Sequence, residues 1–343
     1  ILVIIRRILF SYCEKSMILI TGGAGYIGSQ TNKNLNLKGY STLVFDNLFY
    51  GHLSAVKWGS FIFGDLNDIE QIRLVFKKYK ITSVMHFAAY AYAGESVKEP
   101  EKYYFNNVVN TLNLLKVMRE FNVDKIIFSS SCATYGDPIE IPMTESHVQN
   151  PINPYGKSKL MIEKILLDYS QAYNLKYAIL RYFNAAGADV SADIGEDRNP
   201  ETHLIPLTLD AAIGKRESIK IFGTDYDTED GFCVRDYIHV VDLANAHVLT
   251  LNYGKSNPGI IDIFNVGTGK SVTIDNLLTK IIHQMGVKTK ITRKELPEGD
   301  PEKSGGSYTK LEEMLKINIK NFTSLKDGLA DTINYFTNQI SQL

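Results

Sequence analysis

The stretch Thr21-Gly22-Gly23-Ala24-Gly25-Tyr26-Ile27-Gly28 decides the fold: it follows an apolar run at 17–21 and opens a segment of helical period. Within it, Gly22, Gly25 and Gly28 stand three positions apart. Between a strand and a helix, this spacing permits a tight turn, close approach of a pyrophosphate and tight helix–strand packing. The N-terminus of the helix stabilises the bound anion. The stretch therefore predicts a dinucleotide-binding turn.

Aspartates end the two apolar runs that follow this turn. Asp46 closes the run at 41–46, roughly 20 residues after the last glycine, where a carboxylate binds the ribose of a dinucleotide. Such a carboxylate repels a 2′-phosphate, and no arginine adjoins Asp46, so the sequence favours NAD over NADP. Asp65, followed by Leu66, closes the run at 61–65 and is a candidate contact for the adenine. A solvated strand-end aspartate is the alternative for both.

Apolar runs of strand length alternate with longer segments of helical period from residue 17 onward. The runs lie at 17–21, 41–46, 61–65, 83–89, 125–131 and 176–184, and the helical segments near 26–38, 68–79, 101–121 and 156–173. Nearly continuous Ile, Val and Phe indicate strands that are buried on both faces. We predict an α/β fold: a Rossmann-type doubly wound parallel sheet with a smaller C-terminal α/β substrate lobe. Three asparagines lower the helix propensity of the first helical segment. We therefore expect packing against the sheet to stabilise this helix.

The alternation loosens after about residue 185, which predicts two lobes. Residues 17–184 are expected to form the NAD-binding domain, and 185–343 mainly a substrate lobe, with segments near 235–267 returning to the first domain. A strand at 262–266 is the candidate for that return. Residues 1–16 contain an apolar stretch that is too short to span a bilayer and lacks a signal cleavage site. We expect them to be an extension outside the fold, with a peripheral anchor as the alternative.

Composition excludes several classes of partner. The 343 residues include 37 Lys and Arg against 38 Asp and Glu, a net charge of −1, which gives no electrostatic reason to bind nucleic acid or an anionic membrane. The three cysteines and seven histidines are scattered, so we expect neither a disulfide framework nor a metal site. A reducing, cytoplasmic compartment fits this cysteine usage.

A Tyr-x-x-x-Lys pair marks the candidate catalytic end. Tyr155 and Lys159 are four residues apart and project from one helical face. A phenol has a pKa near 10, which a neighbouring ammonium and a positively charged nicotinamide lower. Ser131 ends the run at 125–131, and ligands gather at the carboxyl ends of parallel strands, so its hydroxyl can bind the same substrate oxygen as Tyr155. The alternative for Tyr155 and Lys159 is that they belong to an ordinary helix surface, and the alternative for Ser131 is that it only caps a strand.

A wider set of motifs resembles the extended short-chain dehydrogenase/reductase family, and within it the 4-epimerases of nucleotide sugars. The resemblance runs from Met17 to about Asp300. It is carried by the residues at 22–28, 86–89, 94–97, 103–108, 129–136, 155–159, 181–184, 221–223 and 234–240. The last of these, Val-Arg-Asp-Tyr-Ile-His-Val, is more specific than the superfamily motifs.

The resemblance implies reversible 4-epimerisation of UDP-glucose and UDP-galactose through a 4-keto sugar, with tightly bound NAD. It assigns the proton of the sugar 4-hydroxyl to Tyr155, the nicotinamide ribose to Lys159 and O4 to Ser131. It implies cofactor contacts at Gly22, Gly25, Tyr26, Ile27, Gly28, Asp46, Asn47, Asp65, Leu66, Phe87, Ala88, Ala89, Asn106, Ser129, Tyr155, Lys159 and Tyr182. Substrate contacts are implied at Ser131, Tyr155, Asn184, His203, Leu204, Phe222, Arg235 and Asp300. It also implies a homodimer formed by the helices near 101–121 and 156–173.

The chain departs from the family pattern at two positions. Pro297 stands where relatives commonly carry a diphosphate-binding arginine, and Arg293 or Lys294 is the candidate substitute. Ser304 stands where some relatives carry a bulky side chain that narrows the sugar pocket, which favours tolerance of UDP-N-acetylhexosamines.

Other functions of the same family remain alternatives. A 4,6-dehydratase is disfavoured because Ser131-Cys132-Ala133 offers no carboxylate for water elimination. A decarboxylase or an epimerase of other nucleotide sugars stays open. A non-catalytic NAD-binding regulator is disfavoured because Tyr155 and Lys159 are both present.

Overall fold

The computed structural model describes residues 13–223, 226–256, 261–287, 289–294 and 301–341. Within these residues a seven-stranded parallel sheet is formed by β1 (Cys13–Thr21), β2 (Thr42–Asp46), β3 (Ser60–Phe63), β4 (Tyr79–His86), β5 (Lys125–Ser129), β6 (Lys176–Tyr182) and β10 (Ile261–Val266). The strand order is β3-β2-β1-β4-β5-β6-β10. The chain switches direction across the sheet between β1 and β4, which is where such sheets bind ligands. The predicted fold class is confirmed.

Helices cover both faces of this sheet. They are α1 (Tyr26–Leu37), α2 (Ile69–Lys78), α3 (Ala93–Lys98), α4 (Pro100–Tyr103), α5 (Asn110–Glu120), α6 (Pro154–Tyr173), α7 (Leu204–Ala212), α8 (Val240–Ser256), α9 (Ile274–Met285), α10 (Thr309–Leu315) and α11 (Leu325–Ser341). A core beneath α2, α5 and α6 contains Leu19 and Val84, and a second core beneath α1, α8 and α10 contains Ile20 and Met85. Burial of each such side chain contributes about 1.5–3 kcal/mol, which explains the apolar character of the strands.

The second half of the chain returns to the sheet. The strand predicted at 262–266 is β10, which pairs in parallel with β6 and places Phe264 beside Leu180. Helix α8 packs against α1 and shares the second core with it. Two smaller sheets lie outside the main one, formed by β7 (Asn184–Ala186), β9 (Val234–His239) and β11 (Ser271–Thr273), and by β8 (Ile219–Phe222) and β12 (Ile291–Lys294).

Several element boundaries differ from the expectations. Strand β1 begins at Cys13, which pairs with Tyr79, so residues 13–16 of the predicted extension belong to a strand; residues 1–12 lie outside the described residues. Strand β4 ends at His86, earlier than the predicted 83–89, because the next two N–H groups, of Phe87 and Ala88, both donate to the Thr21 carbonyl. The run predicted at 176–184 divides into β6 and the start of β7.

The helix predicted over 101–121 is interrupted. A π-helical segment, Tyr104–Val109, separates α4 from α5. Its Asn107 is buried; the side-chain amide donates to the Tyr90 carbonyl at 3.0 Å and to the Ser158 hydroxyl at 2.9 Å. The wider π turn thus places an amide between the segment after β4 and helix α6. Such turns occur frequently at functional sites.

The asparagines of α1 make tertiary hydrogen bonds. Asn34 donates to the Asn245 side chain of α8 at 3.1 Å, and Asn32 donates to the Trp58 carbonyl at 2.7 Å. The Thr42 hydroxyl also donates to Asn32, at 2.7 Å. Contacts with neighbouring elements therefore override the poor helix propensity of asparagine, as expected.

Candidate active site

The glycine turn packs directly against the end of β4. Gly22 has φ +74°, and a Cβ at this position would lie 2.4 Å from the backbone nitrogen of Ala88. A Cβ at Gly28 would lie 2.3 Å from the carbonyl oxygen of Gly22. Gly25 is the N-cap of α1 and has no capping side chain, so the first N–H groups of the helix face outward. This arrangement can bind an anionic diphosphate.

A cleft extends along the carboxyl ends of β1 to β4 from this turn. Ten of the predicted cofactor residues line it: Gly22, Gly25, Asp46, Asn47, Asp65, Leu66, Phe87, Ala88, Ala89 and Asn106. Seven further lining residues were missed: Phe45, Phe49, Tyr50, Gly51, Gly64, Tyr90 and Asn110. One of the missed residues, Gly64, directly follows a strand, so the strand-end rule contained the signal for it. The others lie within β2, in the loops after β2 and β4, or at the start of α5.

The two strand-end aspartates are fixed by hydrogen bonds. Asp46 accepts from the Ala24 N–H at 2.9 Å and from the Leu48 N–H at 2.8 Å, and burial raises the pKa of its carboxyl group. Asp65 accepts from the Asn47 amide at 2.8 Å. Asp46 therefore stabilises the glycine turn from the neighbouring loop, and both carboxylates face the cleft.

The predicted catalytic pair is placed by the start of α6. The Asn153 side chain caps the helix by accepting from the Gly156 N–H at 2.8 Å, and Pro154 occupies the first turn. Tyr155 and Lys159 follow on one face, and both are buried. Burial raises the pKa of Tyr155 above its usual value, while a hydrogen bond with Ser131 opposes that rise. The structure thus brings the three predicted catalytic residues together.

Lys159 is held against the end of β5. Its ammonium donates to the carbonyl oxygen of Ser129 at 2.7 Å and lies 6.0 Å from the ring centre of Tyr155. Burial lowers the pKa of Lys159 to about 7, against an opposing effect of the Glu163 carboxylate. Near neutral pH the ammonium and the neutral amine of Lys159 are therefore both populated beside the phenol.

Three consecutive serines connect β5 with the surrounding polar groups. The Ser129 hydroxyl is 2.7 Å from the hydroxyl of Tyr182, a predicted cofactor residue. The Ser130 hydroxyl donates to Glu163 at 2.6 Å, and Glu163 also binds the buried Arg181 at 2.6 Å. Sequence reasoning missed Glu163, although it stands four residues after Lys159 on the same helical face.

Three predicted cofactor residues lie beside the cleft lining. Tyr26 donates its hydroxyl to the Gly187 carbonyl at 2.5 Å, and burial raises its pKa. Ile27 packs against the core that α1 shares with α8, and Gly28 packs against the glycine turn. Tyr26, Ile27 and Gly28 therefore shape the glycine turn and the first helix and are not among the residues that line the cleft.

Apart from Ser131 and Tyr155, the predicted substrate residues that the structure describes lie on the smaller sheets and at the start of α7. Asn184 and Arg235 lie on the adjacent strands β7 and β9, and Arg235 donates to the carbonyl oxygens of Glu302 at 3.1 Å and Pro301 at 2.6 Å. His203 is the N-cap of α7, directly before Leu204, and its Nδ1 is 2.6 Å from Glu196. Asp300 and the side chains of Phe222, Arg293 and Lys294 lie outside the described part of the chain.

The described residues contain neither a metal-binding cluster nor a membrane-spanning helix. There is no cluster of three or more His, Cys, Asp or Glu side chains arranged to hold a metal ion. Likewise, none of the helices in this part of the chain has the length and apolar character needed to cross a bilayer.

Comparison with known proteins identifies the family. Residues 18–267 match the model of the NAD dependent epimerase/dehydratase family. The UDP-glucose 4-epimerase of Rhizobium meliloti is 48% identical over 87% of this chain and 88% of its own length. That of Halalkalibacterium halodurans is 51% identical over 76% of this chain and 78% of its own.

Solved structures of similar proteins have the same fold. The UDP-glucose 4-epimerase from Brucella ovis in complex with NAD superposes with a TM-score of 0.89 at 43% identity, covering 94% of this chain and 98% of its own. The enzyme from Bifidobacterium longum in complex with NAD⁺ and UDP superposes with a TM-score of 0.90 at 36% identity, with the same coverage. The chain therefore belongs to the NAD dependent epimerase/dehydratase family and, within it, to the UDP-glucose 4-epimerases.

Proposed function

We propose that the protein catalyses the reversible 4-epimerisation of UDP-glucose and UDP-galactose through a transient 4-keto sugar, with tightly bound NAD as its cofactor. The observation that carries this proposal is the arrangement of Tyr155, Lys159 and Ser131 at the end of β5. The glycine turn and Asp46 fit the cofactor, because they offer N–H groups for a diphosphate and a carboxylate for a ribose. Held by the glycine turn and Asp46, NAD would supply reversible hydride transfer at C4 of the sugar.

Tyr155 moves the proton at the sugar 4-hydroxyl. Its phenol is protonated at neutral pH in the protein alone, because burial raises its pKa. A phenolate in this site needs nearby positive charge, which the Lys159 ammonium supplies. Ser131 lies within hydrogen-bonding reach of the phenol and orients O4 beside it. Tyr155 thus transfers the proton, Lys159 stabilises the charge on the phenol oxygen, and Ser131 orients the substrate oxygen.

The nucleotide is held by residues outside the Rossmann sheet. Asn184 and Arg235 share the sheet formed by β7, β9 and β11, and Arg235 reaches the segment at 301–302. We assign the diphosphate to Arg235 and sugar or ribose contacts to Asn184, His203 and Leu204. Firm binding of the nucleotide with loose binding of the hexose would let the keto sugar present either face.

A wider sugar specificity is a second candidate, because Ser304 is small and buried. Its hydroxyl has no hydrogen-bond partner within the described structure. The UDP-Glc/GlcNAc 4-epimerase from Campylobacter jejuni is 37% identical to this chain, and a putative UDP-arabinose 4-epimerase of Arabidopsis thaliana is 40% identical. Ser304→Tyr is expected to reduce kcat/KM for UDP-N-acetylglucosamine at least about tenfold more than for UDP-glucose. Equal losses on both substrates would remove Ser304 as the cause.

We further propose a homodimer in the cytoplasm. Apolar side chains are exposed on the π-helical segment, α5 and α6, namely Phe105, Val109, Leu112, Met161 and Leu167. Pairing of these helices with those of a second copy would bury that surface. Only three cysteines, scattered through the 343 residues of the sequence, fit a reducing compartment. Light scattering coupled to gel filtration tests the dimer, and a monomer at micromolar concentration would contradict it.

A single assay tests the activity. The purified protein is incubated with UDP-galactose without added NAD, and the nucleotide sugars are separated by anion exchange. Formation of UDP-glucose is expected, together with release of NAD from the denatured protein. Absence of UDP-glucose from a preparation that contains NAD would overturn the proposed reaction. Parallel incubations with UDP-arabinose and UDP-N-acetylgalactosamine define the sugar range.

A further inference from the structure

The cofactor cleft has a charge imbalance. Among the described residues that line it, Asp46 and Asp65 are carboxylates, and none is a lysine or an arginine. A dinucleotide adds two negative charges through its diphosphate. The open N-terminus of α1 contributes about half a positive charge, which is too little to balance them. A cation close to the lining would therefore strengthen binding of the diphosphate.

Lys102 is a cation held directly behind that lining. Its ammonium lies 4.8 Å from the ring centre of Tyr90 and 5.6 Å from that of Phe49. Both rings line the cleft. The Tyr50 hydroxyl, on a third lining residue, is also within hydrogen-bonding reach of the ammonium. The charge of Lys102 thus faces the cleft across a layer of aromatic side chains.

The aromatic layer is anchored to the glycine turn. The rings of Phe49, Tyr50 and Tyr90 contact one another with centroid separations of 4.8 to 5.3 Å. The loop that carries the first two returns to the turn, where the His52 N–H donates to the Ala24 carbonyl at 3.0 Å. Phe49 is 55% exposed, so this layer covers the mouth of the cleft instead of filling the core.

Glu95 keeps the lysine protonated and in place. Its carboxylate is 2.7 Å from the Lys102 ammonium and accepts the Tyr103 hydroxyl at 2.8 Å. Partial burial lowers the pKa of Lys102, but the hydrogen bond with Glu95 and nearby charges outweigh that effect and raise it overall. An ammonium has three donors, so Lys102 can bind Glu95 and a further acceptor at the same time.

We propose that Lys102 is the cation for the diphosphate of NAD, held behind the cleft lining by the rings of Phe49 and Tyr90. This inference rests on the proposed function because it takes NAD as the cofactor. Lys102 belongs to α4, outside both the glycine turn and the Tyr155 helix. The proposal assigns retention of the cofactor to a residue that the sequence motifs did not indicate.

Ligand binding by the full-length protein tests this assignment. NAD content is measured after denaturation, and protein freed of NAD is titrated with ADP and with adenosine. Lys102→Met is expected to raise the dissociation constant for ADP about tenfold or more and to leave that for adenosine within about twofold. Lys102→Arg restores most of the ADP affinity. Lys77→Met, which removes an exposed lysine from the last turn of α2, is the matched control and binds like wild type.

Two outcomes would overturn the inference alone. One is wild-type ADP affinity in Lys102→Met. The other is an equal loss of ADP and adenosine affinity, because Lys102 would then only support the shape of the cleft. Wild-type protein that neither contains nor binds NAD would contradict the proposed function, and the inference with it. Thermal unfolding of the variants without ligand checks that each one folds.

Discussion

The ammonium of Lys159 donates to the backbone carbonyl of Ser129 at 2.7 Å, so helix α6 is fastened to the end of β5. Ser129 precedes Ser130, which donates to Glu163, and Ser131, which contacts Tyr155. Each of three successive strand-end residues thus contacts one of three successive turns of α6. Preorganised contacts of this kind reduce the cost of orienting the reacting groups.

Burial of Lys159 predicts a pH-dependent cost to stability. Its pKa in the folded protein is about 7, whereas an unfolded lysine titrates near 10.4. Below pH 7 both states bind the proton, and the cost of burying the ammonium is present in full. Between about pH 7 and 10 the unfolded state binds more protons, so this contribution to stability becomes more favourable as pH rises.

The comparison of wild type with Lys159→Met isolates that contribution. In the cofactor-free protein, the methionine variant is expected to be more stable below pH 7, and its advantage should shrink toward pH 10. Urea unfolding at several pH values measures the difference in the free energy of unfolding. A difference that does not vary with pH would contradict the lowered pKa. The variant is also expected to lose nearly all epimerase activity.

Tyr155→Phe removes the hydroxyl that transfers the proton while preserving the buried ring. General acid–base catalysis contributes about 10²- to 10⁴-fold, so turnover of UDP-galactose should fall by at least about 100-fold. Cofactor content should stay at the wild-type value, because the glycine turn and Asp46 are unchanged. Wild-type turnover in a variant that retains NAD would falsify the assignment of the proton to Tyr155.

Removal of one member of the buried Glu163–Arg181 pair should strongly destabilise the protein. Both side chains are buried. The Glu163 carboxylate accepts hydrogen bonds from Arg181 at 2.6 Å, Ser130 at 2.6 Å and Gln149 at 2.9 Å. Glu163→Ala leaves a buried guanidinium without its counter-charge, which costs about 3–5 kcal/mol. Denaturant unfolding measures this loss.

A double variant is the control for that pair. Glu163→Ala combined with Arg181→Met removes both charges, so it should recover part of the stability lost in the single variant. Additive losses in the double variant would show that the two residues act independently. The single variant is also expected to lower kcat, because Glu163 positions Ser130 between the two serines that contact the catalytic pair.

The sheet was predictable because its signals are local and strong. Continuous apolar runs identified the strands that pair as β1 to β6, and the glycine turn identified the strand-to-helix transition after β1. Boundaries were less predictable where tertiary contacts set them. The break before α5 depends on Asn107 reaching Tyr90 and Ser158, contacts that no sequence period encodes.

The site was predictable where residues follow strand ends, and less so where charges act through space. Asp46 and Ala88 line the cleft as expected, and so does Asn106, which the family resemblance predicted on the π-helical segment. Lys102 and Glu163 were missed because their roles depend on partners from other segments, Tyr90 and Ser130. The sequence around a helical lysine or glutamate does not indicate which residue of another segment will contact it.

Two glycines of the same turn should respond differently to alanine. At Gly22, φ is +74° and a Cβ would lie 2.4 Å from backbone atoms of Ala88, so Gly22→Ala should destabilise the protein by about 1–3 kcal/mol or prevent folding. At Gly25, φ is −84° and the nearest atom to a Cβ is 3.4 Å away, so Gly25→Ala should fold with nearly wild-type stability.

The Gly25 variant therefore separates ligand approach from folding. Its added methyl group lies at the N-terminus of α1, where the diphosphate must contact backbone N–H groups, so NAD content should fall although the melting temperature stays within a few degrees of wild type. The measurement pairs thermal unfolding with NAD released on denaturation. Full NAD content in Gly25→Ala would place the diphosphate away from this helix end, because a methyl group in the contact surface cannot be neutral to binding there.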